Sequence, residues 1–298
     1  MIKAITIVAV LVLASCSSMK TSEAGKRVLF KSIDWVEQGA FTQGIEGPAV
    51  ASDGYLYVVN YQQNGTIGRV INSNRVELFV RLPEDSIGNG IRFDSIGNMY
   101  IADYVNHNIL KISATNIQSE PESSLSVYAH SPLMNQPNDI AITNSDIIFA
   151  SDPNWAEGNG NLWRIDKEQN ITLIESDMGT TNGIAVNPDS TKLYVNESMQ
   201  RIVWQYQLDS EGNPSNKQQL ISFEDHGLDG MRTDTKGNLY IARYGKGVIA
   251  IVSPQGELLR EVPLQGMYPT NLAFGGSSKN QVFVTMQKRG AIESFFIN

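Results

Sequence analysis

A chain of 298 residues can bury a large core, and 41% hydrophobic with 18% charged residues is the composition of a folded globular protein. A net charge of −8, with lysines and arginines scattered rather than gathered into a stripe, argues against a nucleic-acid partner. A single cysteine excludes an intramolecular disulfide framework.

Lys3 precedes an apolar run from Ala4 to Leu13, too short to span a bilayer as a mature helix but suited to a signal-peptide core. The run ends in Leu13-Ala14-Ser15-Cys16, which resembles a bacterial lipobox. That resemblance implies cleavage before Cys16 and lipidation of it; Ser17 in the next position implies the outer membrane in a bacterium with two membranes. Residues 1–15 are therefore expected to be a signal peptide, 16–26 a lipidated flexible tether, and 27–298 the folded domain. The expected location is the cell envelope, with the membrane met only through the lipid; nothing indicates an oligomer. A strand is expected over 28–33, at the start of the folded domain.

Beyond that strand one phrase recurs. Leu228-Asp-Gly-Met-Arg-Thr-Asp-Thr-Lys-Gly-Asn-Leu-Tyr-Ile-Ala242 reads as a polar residue, a short strand, a Gly-Asn turn and a second strand, with no helical period. Copies begin at Glu46, Asn89, Asn138, Asn182, Asp229 and Asn271, at intervals of 42 to 49 residues, which is the range of propeller blades. The expected fold is all-β: a six-bladed β-propeller of four-stranded blades. The last copy supplies only three strands, 272–274, 281–286 and 291–297, so the N-terminal strand is expected to join it as the outer strand and close the ring. The polar run Ala114–Ser126 is expected to link the outer strands of the second blade. Ser151–Asn161, rich in Gly and Asn around Trp155, is expected to be a loop overhanging the channel mouth.

If each copy opens an innermost strand, its leading residues form a ring around one end of the central channel. Glu46, Asn138, Asn182 and Asp229 would then present two carboxylates and two amide oxygens, hard donors that suit calcium, with magnesium or manganese as lesser alternatives and zinc as a substitute. Four side chains leave positions open for water and substrate. The competing reading is that Asn-Gly and Asp-Gly merely mark turns, but six copies in register, two of them acidic, favour a site. His107, His130 and His226 stand alone, in segments placed on the same face as the ring.

The phrases Glu46-Gly-Pro-Ala49, Pro137-Asn-Asp139, Thr181-Asn-Gly-Ile-Ala-Val-Asn-Pro-Asp189, Asp229-Gly-Met231, Gly237-Asn-Leu-Tyr-Ile-Ala242 and Thr270-Asn-Leu-Ala-Phe-Gly-Gly276 together resemble the gluconolactonase, or senescence marker protein (regucalcin), family. The resemblance covers essentially the whole mature chain. It implies a six-bladed propeller with a divalent ion, usually calcium, and hydrolysis of a sugar-type lactone or related ester. By position it implies that Glu46, Asn182 and Asp229 are metal ligands and that Asn138 is a ligand or substrate contact, with Asn89 and Trp155 expected beside the substrate. The ion would polarise the lactone carbonyl while a carboxylate activates water or attacks directly, Asp229 first and Asp152 second. Two other propellers compete: Asn89–Ile112 also resembles an NHL repeat, which would make a non-catalytic scaffold for a partner or carbohydrate, and a strictosidine-synthase-like propeller would need one acid and no metal. The acid pair with amides between counts against both.

Overall fold

Each copy of the repeat folds into one antiparallel four-stranded blade, and the described residues make six. The computed structural model describes residues 28–298 apart from Glu84; the expected signal peptide, Cys16 and the expected tether lie outside the described residues. The first strands of the blades are Phe41–Val50, Gly88–Phe93, Ile140–Ile142, Thr181–Val186, Gly227–Thr233 and Pro269–Gly275. Each contacts the first strand of the next blade, and the sixth contacts the first, so these strands line a closed central channel. Strand order within a blade follows chain order outward.

The sixth blade departs from that order. Pro269–Gly275, Gln281–Met286 and Ala291–Phe296 are joined at the outer edge by Ile33–Val36 from the other end of the domain. That strand lies a few residues later than the 28–33 expected; Leu29 makes only an isolated parallel bridge to Phe296.

Packing explains why the second strands read as unbroken apolar runs. Six hydrophobic clusters lie between adjacent blades, one in each gap. In Leu239-Tyr240-Ile241, Leu239 and Ile241 pack toward the fourth blade while Tyr240 packs toward the sixth. Strand side chains alternate faces, so a blade sandwiched between two others must be apolar on both. The hairpin turns arise from local chemistry. Asp234 Oδ1 accepts the Lys236 and Asn238 N–H groups, and Gly237 takes a φ of +82° that an L side chain adopts only with strain. The same device recurs at Asp94 to Asn98.

One expectation is corrected. Ser151–Asn161 is not a long loop: Ile148–Asn154 and Asn159–Ile165 pair through Asp152–Asn161, Pro153–Gly160 and Asn154–Asn159, leaving only the tight connection 155–158 with Trp155 at its start. Ala114–Ser126 does link the third and fourth strands of the second blade.

Candidate active site

The connections between second and third strands emerge on the face where the first strands begin, and together they wall a cavity of about 740 Å³. Glu46, Asn89, Asn138, Asn182 and Asp229 all line it. The ring geometry explains the glycines that come after most of these residues. A Cβ on Gly47 would lie 1.9 Å from the Asn89 carbonyl oxygen, and one on Gly230 would lie 2.0 Å from Asn271 Cγ. Gly90 and Gly183 meet Asp139 and the Asp229 carbonyl in the same way. Each glycine thus admits the ring residue of the next blade or its immediate neighbour, which is a packing requirement rather than a turn signal.

Glu46 is 7% exposed; its Oε2 accepts the Gly47 N–H at 2.5 Å and the Asn271 amide at 2.9 Å. Burial, then the charge of Asp139, push the Glu46 carboxyl up to about 7, against the pull of the Gly47 and Asn271 donors. Asp229 is raised well above the usual carboxylate range by burial and then by Glu46, with the Asn182 amide and the Gly230 N–H opposing. Its main-chain carbonyl is held by Asn196 Nδ2 at 2.6 Å. Asn89 does not offer its amide to the cavity freely: Nδ2 donates to the Asn138 carbonyl at 3.0 Å and so steadies Asn138.

The donor set fits a divalent cation. Asn138 Oδ1 and Asn182 Oδ1 are buried and accept no hydrogen bond among the described residues, although buried polar atoms are almost always paired. Beside them stand two carboxylates that burial alone disfavours in ionised form. A hard cation would satisfy all four at once, and the all-oxygen chemistry suits calcium. Among the described residues no group of three or more His, Cys, Asp or Glu side chains is arranged to hold a metal, so half of such a shell would be amide oxygen.

Asp152 is placed elsewhere. It does not line the cavity, it is fully buried, and its carboxylate accepts the Asn135 N–H, Asn135 Nδ2, the Gln136 N–H, Asn161 Nδ2 and Trp163 Nε1. A carboxylate so saturated braces the third blade and is not poised as a base or nucleophile. Trp155 does line the cavity and is 38% exposed. Of the histidines, only His226 lines it, with Nδ1 3.2 Å from Asp225 Oδ2; His130 Nδ1 is 2.9 Å from Asn108 Oδ1, and His107 does not line the cavity.

Sequence reasoning missed what supports the ring. Asp139, wholly buried, bridges Arg92 at 2.9 Å and Arg232 at 3.1 Å, and Asn271 Nδ2 links it at 3.3 Å to the Glu46 assembly. Burial raises the Asp139 pKa, but the two guanidinium groups outweigh it and hold the carboxyl below its usual range. Burial and then Arg232 bring Arg92 down to about 9. A signal was present: Arg92 and Arg232 each stand three residues after a ring residue, and Asp139 occupies the place where four other copies have glycine.

The family profile of the SMP-30/gluconolactonase/LRE-like region matches residues 45–288. A gluconolactonase of Zymomonas mobilis is 30% identical over 192 residues, covering 57% of this chain and 52% of that protein. A 6-deoxy-6-sulfogluconolactonase of Pseudomonas putida is 30% identical over 132 residues, covering 43% and 45%. The matches thus span about half the length of these curated relatives. In fold, the chain is similar to a calcium-binding protein, regucalcin, of Agrobacterium tumefaciens, with a TM-score of 0.76 at 18% identity over 91% of this chain and 95% of that one. It is likewise similar to a gluconolactonase of Xanthomonas campestris, with a TM-score of 0.74 at 17% identity over 89% of each chain. With that profile spanning all six blades, the chain belongs to the SMP-30/gluconolactonase/LRE-like family.

Proposed function

We propose that this protein hydrolyses a sugar-type lactone in the cavity at the channel mouth, with a divalent cation, calcium first, held by Glu46, Asn138, Asn182 and Asp229. The observation that carries the reading is the pair of buried, unpartnered amide oxygens, Asn138 Oδ1 and Asn182 Oδ1, beside the Glu46 and Asp229 carboxylates. The names of the Zymomonas and Pseudomonas relatives support a lactone as substrate, and that of the Agrobacterium protein supports calcium.

When bound, the cation supplies Lewis-acid polarisation of the lactone carbonyl. Asp229, the acid on the cavity wall whose main chain Asn196 clamps, takes the proton of the attacking water. The water oxygen bonds to the acyl carbon, the ring C–O bond breaks, and Asp229 returns its proton to the leaving ring oxygen as the new hydroxyl; the product is a hydroxy acid. Asn138, braced by Asn89, orients the lactone, and Trp155 forms a wall that narrows access for bulk water. The Asn271 amide fixes the Glu46 oxygen that it contacts.

The test is a lactone panel monitored by acid release, with calcium, with a chelator, and with Asp229→Ala. Calcium-dependent turnover lost in the variant supports the reading. Full activity of a folded, calcium-binding Asp229→Ala protein removes Asp229 from the chemistry, and calcium binding with no turnover on any lactone points instead to a binding propeller. We also propose attachment to the cell envelope through lipid on Cys16. Loss of fatty-acid labelling and of membrane fractionation in Cys16→Ser tests it; unchanged labelling would refute it.

A further inference from the structure

The cavity wall carries one cation whose charge nothing nearby uses. Arg201 is the sole lysine or arginine among the described residues that line the cavity. The charges of the other deeply or partly buried arginines are engaged: Arg92 and Arg232 with Asp139, Arg243 with Asp225 and Glu261, Arg69 with Glu77, and Arg289 with Asp34 and Glu293, while Arg164 donates to the carbonyls of Glu211 and Gly212. Arg232 and Arg243 each leave one buried nitrogen unpaired but hold carboxylates with the others. Arg201 makes no ion pair among the described residues, and its Nε is buried without a hydrogen-bond acceptor. A buried donor left unpaired is a cost that native proteins rarely carry without a ligand or solvent to relieve it.

The backbone beneath it is fixed. The Arg201 N–H donates to the Glu197 carbonyl at 2.8 Å, and its own carbonyl accepts the Phe223 N–H at 2.9 Å. The rest of the turn is pinned to the ring strand that carries Asn182. The Ser198 N–H donates to the Thr180 carbonyl, the Met199 N–H to Thr180 Oγ1, and Thr180 returns both its N–H and its hydroxyl to Gln200 Oε1. Arg201 itself holds a φ of +61°, a conformation unusual for a residue with a side chain. A guanidinium on a preorganised turn, unspent by protein carboxylates, offers a planar fork matched to carboxylate, sulfonate or phosphate oxygens.

We infer that the cavity takes a lactone bearing an anionic group remote from the ring ester, and that Arg201 receives that group. This rests on the proposed lactonase reading, in which Glu46 and Asp229 are the reacting acids and Arg201 lines the same cavity. The charge arrangement suits such a substrate. Without an ion, an acidic cavity in a protein of net charge −8 would repel an anion; Arg201 gives it a local attractive contact.

The test compares two lactones differing at one carbon, five-membered gluconolactone and glucarolactone, in which a carboxylate replaces the terminal hydroxymethyl. Wild type is expected to favour glucarolactone by about 10-fold or more in kcat/KM at low salt. Arg201→Gln should lose roughly 10- to 100-fold on glucarolactone, chiefly through KM, and change less than about threefold on gluconolactone; Arg201→Lys should recover part of the loss. Equal preference in wild type, or equal losses on both lactones, overturns the inference. If neither lactone is turned over, the lactonase reading fails separately, and calorimetric titration with glucarate decides. Binding to wild type that is abolished in Arg201→Gln upholds the anion subsite; no binding, or binding unaffected by the variant, overturns it. Circular dichroism and melting confirm that each variant is folded, with Arg201→Lys serving if Arg201→Gln is not.

Discussion

Replacing Asp139 by Asn should destabilise the whole propeller. The carboxylate is wholly buried, contacts Arg92 and Arg232 at 2.9 and 3.1 Å, and faces guanidinium groups whose side chains are only 13% exposed. Asn preserves the volume that Gly90 packs against and one acceptor oxygen, so the change isolates the charge. Removing one partner of a buried ion pair costs about 3–5 kcal/mol, because the remaining charge stays desolvated. Here two like charges are left together, which argues for the upper end of that span. At about 2–4 °C per kcal/mol for a large domain, the melting temperature should fall by roughly 10–20 °C. Thermal and urea unfolding, with calcium and with a chelator, measure it. Adding Arg92→Met to Asp139→Asn should restore part of the loss, since one uncompensated charge is then removed. A fall in stability below about 1 kcal/mol for Asp139→Asn would refute the reasoning, because it would mean that the two arginines are solvated without their carboxylate.

Three further outcomes rest on the same geometry. Gly230→Ala puts a Cβ 2.0 Å from Asn271 Cγ, so it should cost about 2–3 kcal/mol in urea unfolding and weaken calcium binding by displacing the amide that holds Glu46; a neutral effect would contradict the close ring packing. Asp152→Ala should destabilise by roughly 2–4 kcal/mol by stranding buried donors such as Trp163 Nε1, while the folded fraction keeps kcat within a few-fold; a thousandfold fall in kcat at intact stability would restore Asp152 to the chemistry. Calcium at a hundredfold over its Kd should stabilise the chain by about 2.7 kcal/mol in differential scanning, and Glu46→Gln should abolish most of that gain; identical melting with calcium and chelator would remove the ion from the ring.

Much of this architecture is written locally. Asp234 and Gly237 make their turn with neighbours two and four residues away, and Leu239-Tyr-Ile alternates faces whatever the rest of the chain does, so the repeat and the blade count are legible without a structure. The ring was legible for the same reason, since each copy places its leading polar residue on or just before its innermost strand. What a polar side chain meets across the channel is another matter. Asp139 finds Arg92 and Arg232 at separations of 47 and 93 residues, and Asn271 reaches Glu46 over 225. Asp152 and Asp229 look alike as acids at strand ends, yet one is captured by donors from Asn135, Gln136 and Trp163 and the other borders the cavity. Strand period and turn chemistry are set by the backbone of a few adjacent residues, so the sequence alone determined the propeller and its ring. Which carboxylate stays available, which arginine stays unpaired, and which glycine admits a neighbouring blade depend on contacts made within and between blades only once the chain has folded, and only the tertiary structure decided those.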